Sequence, residues 1–505
     1  MRKRRTQGAL NKEMESKEKE VRPQNAENEN VPLVRQMSSP SELMQRCSSS
    51  HPSKSLNLTG LLILDNLIDR QAFSTLVKER LCCFARIRSV PIKITKTWCR
   101  KEFWSWKDMG SDFNPHKNII EIDASSWKSE LEIQNYVSNS LAKPFNTDLP
   151  AWEFHLLQNF HEKTVIYGKF DHATGDGFTI VQILLALTDK INPENRKESL
   201  QSAVGKQQSN ATALHECWRW LLSKIISSFW LLWYTPLVLF LGCIRPFWGD
   251  TFSQLAPYGH EKGEISAYFS CSFSVQDLKR IGSKHNAKIN DVLLSMLAFA
   301  HCKYLKEICK NDVGKHFRAS AACTINFRKT NLLDKPNEEN FGNRSGFIFL
   351  PLPGFHQASD DVHQTLQGIK KITDKIKASP YFVFQSFSAW ITRTLPSILG
   401  FKPLVEFLSS ERYGPLFKTV FLTNVPGPRE KITLLGVSVE SIRAIVNACN
   451  VACAFSYAGQ LYIGYSAHKK RVDGQQVVSY IQEAFQRLSL EVPDKPSIVN
   501  TERAK

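Results

Sequence analysis

The opening residues hold no apolar run behind their basic start, Met1-Arg2-Lys3-Arg4-Arg5, so no secretory signal peptide is expected. The twelve cysteines, the adjacent Cys82-Cys83 among them, show no paired ligand spacing. That argues against a metal site and for a reducing compartment or a cytosol-facing domain. Zinc-finger spacing, RNA-recognition aromatics and a basic heptad region are all missing, so nucleic acid is not an expected partner. What is present is 42% hydrophobic and 22% charged content over 505 residues, a globular composition in a chain too long for one core. The net charge of +17 points to anionic partners, either an anionic membrane surface or a phosphate-bearing ligand.

Composition divides the chain. Residues 1–56 mix basic, Lys/Glu and Ser-rich runs with few aromatics and read as a disordered basic tail. Patterned sequence fills 57–190, followed by a polar linker over 191–216. Within 217–248, Ile225 to Ile244 carries no charge, and it is long enough to span a bilayer at about 1.5 Å per residue against a core of about 30 Å. Pro236 near its middle would break a helix there, and Lys224 and Arg245 flank its two ends. A re-entrant, membrane-embedded segment is therefore expected, with a single span and a buried core helix as the alternatives. A second patterned region covers 249–490, and 491–505 is a tail. Two β-rich halves joined by a linker predict a two-domain α/β architecture with a site between the halves.

The stretch around which the rest is arranged is Lys169-Phe170-Asp171-His172-Ala173-Thr174-Gly175-Asp176-Gly177. Thr164 to Tyr167 before it reads as a buried strand, and Phe178 to Ile191 after it is apolar at helical spacing. Glycines on both sides of Asp176 permit a tight turn that leaves the backbone open to a substrate. A histidine there could take a proton from a hydroxyl. Asp176 at a helix start could cap that helix or hold a cation, and a core histidine beside an ordinary N-cap is the plainer alternative.

Elsewhere, strands are expected at Leu61 to Asp65, Asn118 to Ile122, Ile265 to Phe273, Ala321 to Asn326, Phe347 to Leu352 and Thr419 to Thr423. Helices are expected over Asp69 to Leu81, Leu131 to Leu141, from Ile289 to near Cys309, and Gly474 to Leu488, with Ser274 capping a further one. Ala452 to Tyr465 reads as a hairpin with glycine at its turn. Trp98, Phe103, Trp104 and Trp106 either line an apolar tunnel or form core. Asn290 at a helix start can cap it or turn its amide outward.

Five stretches stand out together: His172-Ala173-Thr174-Gly175-Asp176-Gly177, Pro150-Ala151-Trp152-Glu153, Asn290-Asp291-Val292, Gly342-Asn343 and Asn424-Val425-Pro426-Gly427-Pro428. Together they resemble the wax ester synthase/diacylglycerol acyltransferase family, whose fold is that of the CoA-dependent acyltransferases. The family's motif begins with two histidines, and here Asp171 stands in the first place. Neighbouring strand residues face opposite sides, so Asp171 and His172 are not expected to share a pocket. The plant alcohol acyltransferases' Asp-Phe-Gly-Trp-Gly element and a carrier-protein domain are both missing.

The resemblance implies acyl transfer from acyl-CoA, a co-substrate, to a fatty alcohol or diacylglycerol, without cofactor, metal or covalent intermediate. His172 would be the base, Asn290 the oxyanion donor and Asp176 the third residue of the site, paired with Arg328. Gly177, Trp152, Asn424 and Gly427 would meet substrate, and Asp291 would be structural. Membrane lipid is the further expected partner, and the cytosolic face of the endoplasmic reticulum the expected location, with lipid droplet and plasma membrane as alternatives. The rival reading is a lipid- or membrane-binding protein of the same fold with impaired catalysis.

Overall fold

A computed structural model describes residues 34–50, 56–96, 101–111, 113–141, 143–189, 250, 255, 265–310, 317–326, 328, 341–352, 361–378 and 419–490. The strands of the first half are β1 (Val34–Gln36), β2 (Asn57–Leu64), β3 (Ser89–Lys96), β4 (Lys101–Asp108), β5 (Ile119–Asp123), β6 (Trp152–Phe160) and β7 (Lys163–Asp171). Its helices are α1 (Ser39–Ser50), α2 (Arg70–Arg80), α3 (Glu130–Leu141) and α4 (Gly177–Leu187). The second half holds β8 (Ile265–Phe269), β9 (Phe273–Ser274), β10 (Ser320–Asn326), β11 (Ser345–Pro351), β12 (Val420–Pro426), β13 (Thr433–Leu434), β14 (Val437–Val446), β15 (Val451–Tyr457) and β16 (Gln460–His468). Its helices are α5 (Val275–Lys284), α6 (Ile289–Glu307), α7 (Val362–Ala378) and α8 (Gly474–Leu490).

Local chemistry sets many of these boundaries. Asp69 caps α2 by accepting the Ala72 N–H at 2.7 Å, and Ser274 caps α5 by accepting that of Asp277 at 3.2 Å. Ala458 and Gly459, with φ of 48° and 80°, make the two-residue turn between β15 and β16. The apolar stripe of α2 buries Phe73, Leu76 and Val77. Helix α6 is buried on nearly every side, because α5, α7 and α8 all pack on it.

The strands form a six-stranded sheet ordered β13-β14-β2-β7-β6-β5, and a seven-stranded one ordered β11-β10-β12-β15-β16-β8 with β9 on β16. β1, β4 and β3 make a small third sheet. Chain order does not divide the halves cleanly. β14 leaves the second half and pairs antiparallel with β2, so residues 433–446 complete the first half's sheet. At Gly464 a Cβ would lie 2.0 Å from the Ala444 carbonyl oxygen, so only glycine lets β16 pass β14 this closely.

One further expectation changes. Residues 34–50, placed in the disordered tail, form β1 and α1, and Met37, Ser41 and Glu42 are buried. The apolar residue Met37 joins Trp106 and Ala173 in a small core, and the Glu42 carboxylate accepts the Trp104 N–H at 3.2 Å. The linker 191–216 and the segment 217–248 lie outside the described residues, as does Trp98. Among the described residues no helix is long and apolar enough to cross a membrane.

Candidate active site

Strand β7 delivers His172 to the end of the six-stranded sheet, and Asp176 caps the start of α4. Beneath β7, the wholly buried Lys169 donates to the Lys143 carbonyl at 2.7 Å and lies 3.5 Å from Glu153. Glu153 in turn meets the His155 ring at 3.2 Å. Burial lowers the pKa of Lys169, opposed by Glu153. This network holds the strand that carries the site.

His172 is half-buried, and its Nδ1 lies 2.9 Å from Asn343 Oδ1. The amide of Asn343 has only one orientation that fits, because its Nδ2 donates to the His172 carbonyl at 2.7 Å and to the Ala173 carbonyl at 3.5 Å. Its oxygen must then face Nδ1, which carries the ring proton and donates it, leaving the lone pair on Nε2. Asn343 belongs to the Gly342-Asn343 element noted in sequence, but its role there was missed. An amide in a loop has no local signature as a histidine partner.

Asp171 and His172 engage different groups, as strand alternation leads one to expect. Asp171 is buried, and its Oδ1 accepts the Ala173 N–H at 2.7 Å, an Asx turn that shapes the backbone around His172.

Asp176 is both cap and counter-ion. Its Oδ1 accepts the Thr179 N–H at 3.3 Å, while Oδ2 accepts Arg328 Nη1 at 2.8 Å, the Arg344 N–H at 2.9 Å and the Ser345 hydroxyl at 2.7 Å. Burial alone would raise its pKa, but Arg328 and these donors outweigh it and hold the carboxyl below the ordinary value. The expected Asp176–Arg328 pair is therefore present, with both side chains buried. It ties the turn that carries His172 to the second half of the chain.

Asn290 sits exposed at the start of α6, where its Oδ1 accepts Asn424 Nδ2 at 2.7 Å. Asn424 is one residue before Val425, and a Cβ on Gly177 would lie 3.1 Å from that valine. Asn290 and Gly177 thus both meet the Asn424–Val425 end of β12, Asn290 through the Asn424 side chain on one face and Gly177 beside the Val425 side chain on the other. Lys279, Ser283, Lys288, Ile289 and Asn290 line an open surface cavity of about 490 Å³ there. Asp291 is buried and accepts the Lys288 N–H at 2.9 Å, which caps the start of α6.

Two candidates take structural places instead. Trp152 is almost wholly buried, its ring packed on Phe113 and Phe154 and its Nε1 donating to the Ile87 carbonyl at 2.6 Å. It is a core residue, not part of a substrate surface. Gly427 is required by packing, since a Cβ would meet the Ser456 oxygen at 2.5 Å and the Phe455 ring at 2.6 Å. Trp106 is also core.

Residues 341–489 match the family described as the WS/DGAT C-terminal domain. This part of the chain is similar to that domain. It contains Asn343, Ser345 and the Asn424 element, so the resemblance carried by the motifs holds. The wax ester synthase/diacylglycerol acyltransferase 2 of Arabidopsis thaliana is 24% identical over 419 residues, covering 77% of this chain and 83% of its own. Number 9 of the same plant is 23% identical over 418 residues, 76% of this chain and 84% of that one. Among solved structures, the wax ester synthase/diacylglycerol acyltransferase from Marinobacter aquaeolei has a TM-score of 0.58 at 14% identity, over 90% of this chain and 99% of its own. The first condensation domain of the CDA synthetase has 0.55 at 12%, over 92% and 98%. At those identities the two structures show the fold, a condensation-domain-like α/β architecture shared by WS/DGAT proteins.

Proposed function

We propose that this WS/DGAT-type chain transfers a long-chain acyl group from acyl-CoA to the hydroxyl of a fatty alcohol or diacylglycerol, giving a wax ester or triacylglycerol. The observation that carries the reading is the Asn343 contact, which fixes the proton on His172 Nδ1 and leaves Nε2 to act as base. As the acceptor oxygen attacks the thioester carbonyl, Nε2 takes the hydroxyl proton and the C–O bond forms. The C–S bond then breaks, and the imidazolium returns the proton to the departing thiolate. The acyl donor is already activated, so no enzyme-bound intermediate, metal or cofactor is needed.

Asp176 and Arg328 hold the turn that aims His172, so they position the base without touching substrate. The Asn290 amide, with its oxygen engaged by Asn424, presents Nδ2 as the donor for the developing oxyanion. Lys279 and Lys288 beside it supply positive charge for the phosphates of CoA. Asp171 in place of the first motif histidine keeps the turn in shape through Ala173, which favours retained activity over a purely lipid-binding role. The uncharged stretch Ile225 to Ile244 supports a membrane-associated enzyme, which we assign to the cytosolic face of the endoplasmic reticulum, where acyl-CoA and lipid acceptors meet.

The test is an assay of membranes from expressing cells with labelled palmitoyl-CoA and either hexadecanol or dioleoylglycerol. Labelled wax ester or triacylglycerol above the level of His172→Ala membranes supports the reading. No ester from either acceptor, with labelled lipid still bound by the protein, leaves the lipid-binding alternative.

A further inference from the structure

One face of the seven-stranded sheet looks into the junction between the halves and carries an aromatic surface that the transfer chemistry does not itself require. Strand register places Ala322 of β10 beside Phe349 of β11 and Phe421 of β12, and Thr324 beside Phe347. Residues two apart share a face. Phe347, Phe349, Ala322, Thr324, Phe421 and Thr423 therefore lie on one surface, and the hydroxyls of Thr324 and Thr423 are 3.1 Å apart across it. The opposite face is already covered, since Ala321, Leu350 and Leu422 pack in the helix-lined core. The Phe347 ring centroid lies 6.4 Å from that of Phe349 and 6.1 Å from that of Phe421, so the rings close over the wholly buried Ala322. Phe347 itself stays 37% exposed, an apolar surface open at the junction.

Both ends of this surface are polar. At one end Ser345, two residues before Phe347, donates to Asp176, and Val425, two beyond Thr423, borders Gly177. The surface thus begins at the turn that carries His172. At the other end the buried Asp250 carboxylate accepts the hydroxyls of Ser320 at 2.6 Å and Thr419 at 2.9 Å. Between Ser345 and Pro351, the partner of Ser320, the strand covers about 20 Å at about 3.4 Å per residue. One lipid chain, half of a hydrocarbon core of about 30 Å, needs about 15 Å.

We infer that this aromatic surface seats the long hydrocarbon chain of a substrate, with its reactive end at His172 and its methyl end towards Asp250. The inference rests on the acyl-transfer reading above and adds where the chain lies. That chain belongs either to the thioester or to the acceptor, and the test has an arm for each. Phe347→Ser is the variant, because an exposed ring can be lost without opening the core. One arm compares palmitoyl-CoA with butyryl-CoA at a fixed acceptor, and the other hexadecanol with butanol at a fixed donor. In one arm the long-to-short ratio of kcat/KM should fall about tenfold, carried by KM, the scale of one lost ring contact. Phe347→Leu should restore most of that ratio, and both variants should melt with the wild type. The arm that responds names the substrate. Unchanged ratios in both arms overturn the inference. So does weaker flotation of Phe347→Ser with phosphatidylcholine vesicles at unchanged ratios, which would make the surface a lipid-docking face. An inactive wild type would instead overturn the acyl-transfer reading, so the two failures are distinguishable.

Discussion

Asn343 reads the backbone of the residue whose ring it orients: its Nδ2 donates to the His172 carbonyl, and its Oδ1 faces His172 Nδ1. One amide therefore fixes both the position of the histidine and the nitrogen that carries its proton. The first prediction separates base from orienter. His172→Ala should lower transfer on the order of a hundredfold or more. Asn343→Ala should lower kcat by roughly ten- to a hundredfold, because a misplaced group costs that much, and Asn343→Gln should not restore it. Kinetics on both variants decide this, and equal, near wild-type rates would remove His172 from the mechanism.

Asp176→Asn keeps size and removes charge, leaving the buried Arg328 guanidinium without its counter-ion. Stability should drop by about 3 to 5 kcal/mol, as for other broken buried pairs, with activity falling alongside. The pH dependence has a definite sign. A carboxyl held below its ordinary value contributes stability above pH 3.8, lost as pH falls through the lower folded value. Chemical denaturation across acid pH measures both effects, and a variant as stable as wild type would show the pair to be dispensable.

Asn290→Ala should lower turnover while the melting temperature stays put, since Asn290 is exposed and supports no core. Asn424→Ala should behave in the same way if it holds the Asn290 oxygen. Their double variant should be no worse than the poorer single one, a non-additivity expected of residues in one contact. Fully additive losses would mean that the two amides act separately.

His301 is wholly buried in the second half's core, with Nδ1 against the Leu297 carbonyl at 2.6 Å and Nε2 3.0 Å from the Tyr465 hydroxyl. Burial depresses its pKa from 6.5 to about 4. Between those values the unfolded chain binds the proton that the folded one refuses, so stability falls as pH drops from 6.5 towards about 4. The shift is worth about 3 kcal/mol in all. Denaturation midpoints for wild type and His301→Gln should converge over this window, and a parallel decline would assign the acid sensitivity to other groups.

Topology gives the last prediction. A single crossing by Ile225 to Ile244 would put His172 and Asn290 on opposite sides of a bilayer, whereas Asp176 of the first half is bound directly by Arg328 and Ser345 of the second. The segment is therefore expected to enter and leave on one face. Epitope tags at residues 1 and 505 should both be digested on sealed microsomes without detergent. Protection of only one tag would establish a single crossing.

The sequence by itself determined most of the periodic elements. The β7 strand, the α4 helix, the Asp69 and Ser274 caps and the Ala458-Gly459 hairpin turn all follow from residues within a few positions of one another. With the family resemblance it also offered Asp176 and Arg328 as a candidate pair. Tertiary structure alone decided the rest. Asn343 reaches His172 from 171 positions away, and nothing in an amide's neighbours announces such a contact. Trp152 went to the core because its indole N–H finds the Ile87 carbonyl, a pairing set by the packing of two distant segments. Strand β14 crosses to β2 although chain order assigns it to the other half, and Phe347, Phe349 and Phe421 become one surface only through the register of three strands. Hydrophobic periodicity reports which face of an element is buried, while register and crossing depend on which distant strand it meets.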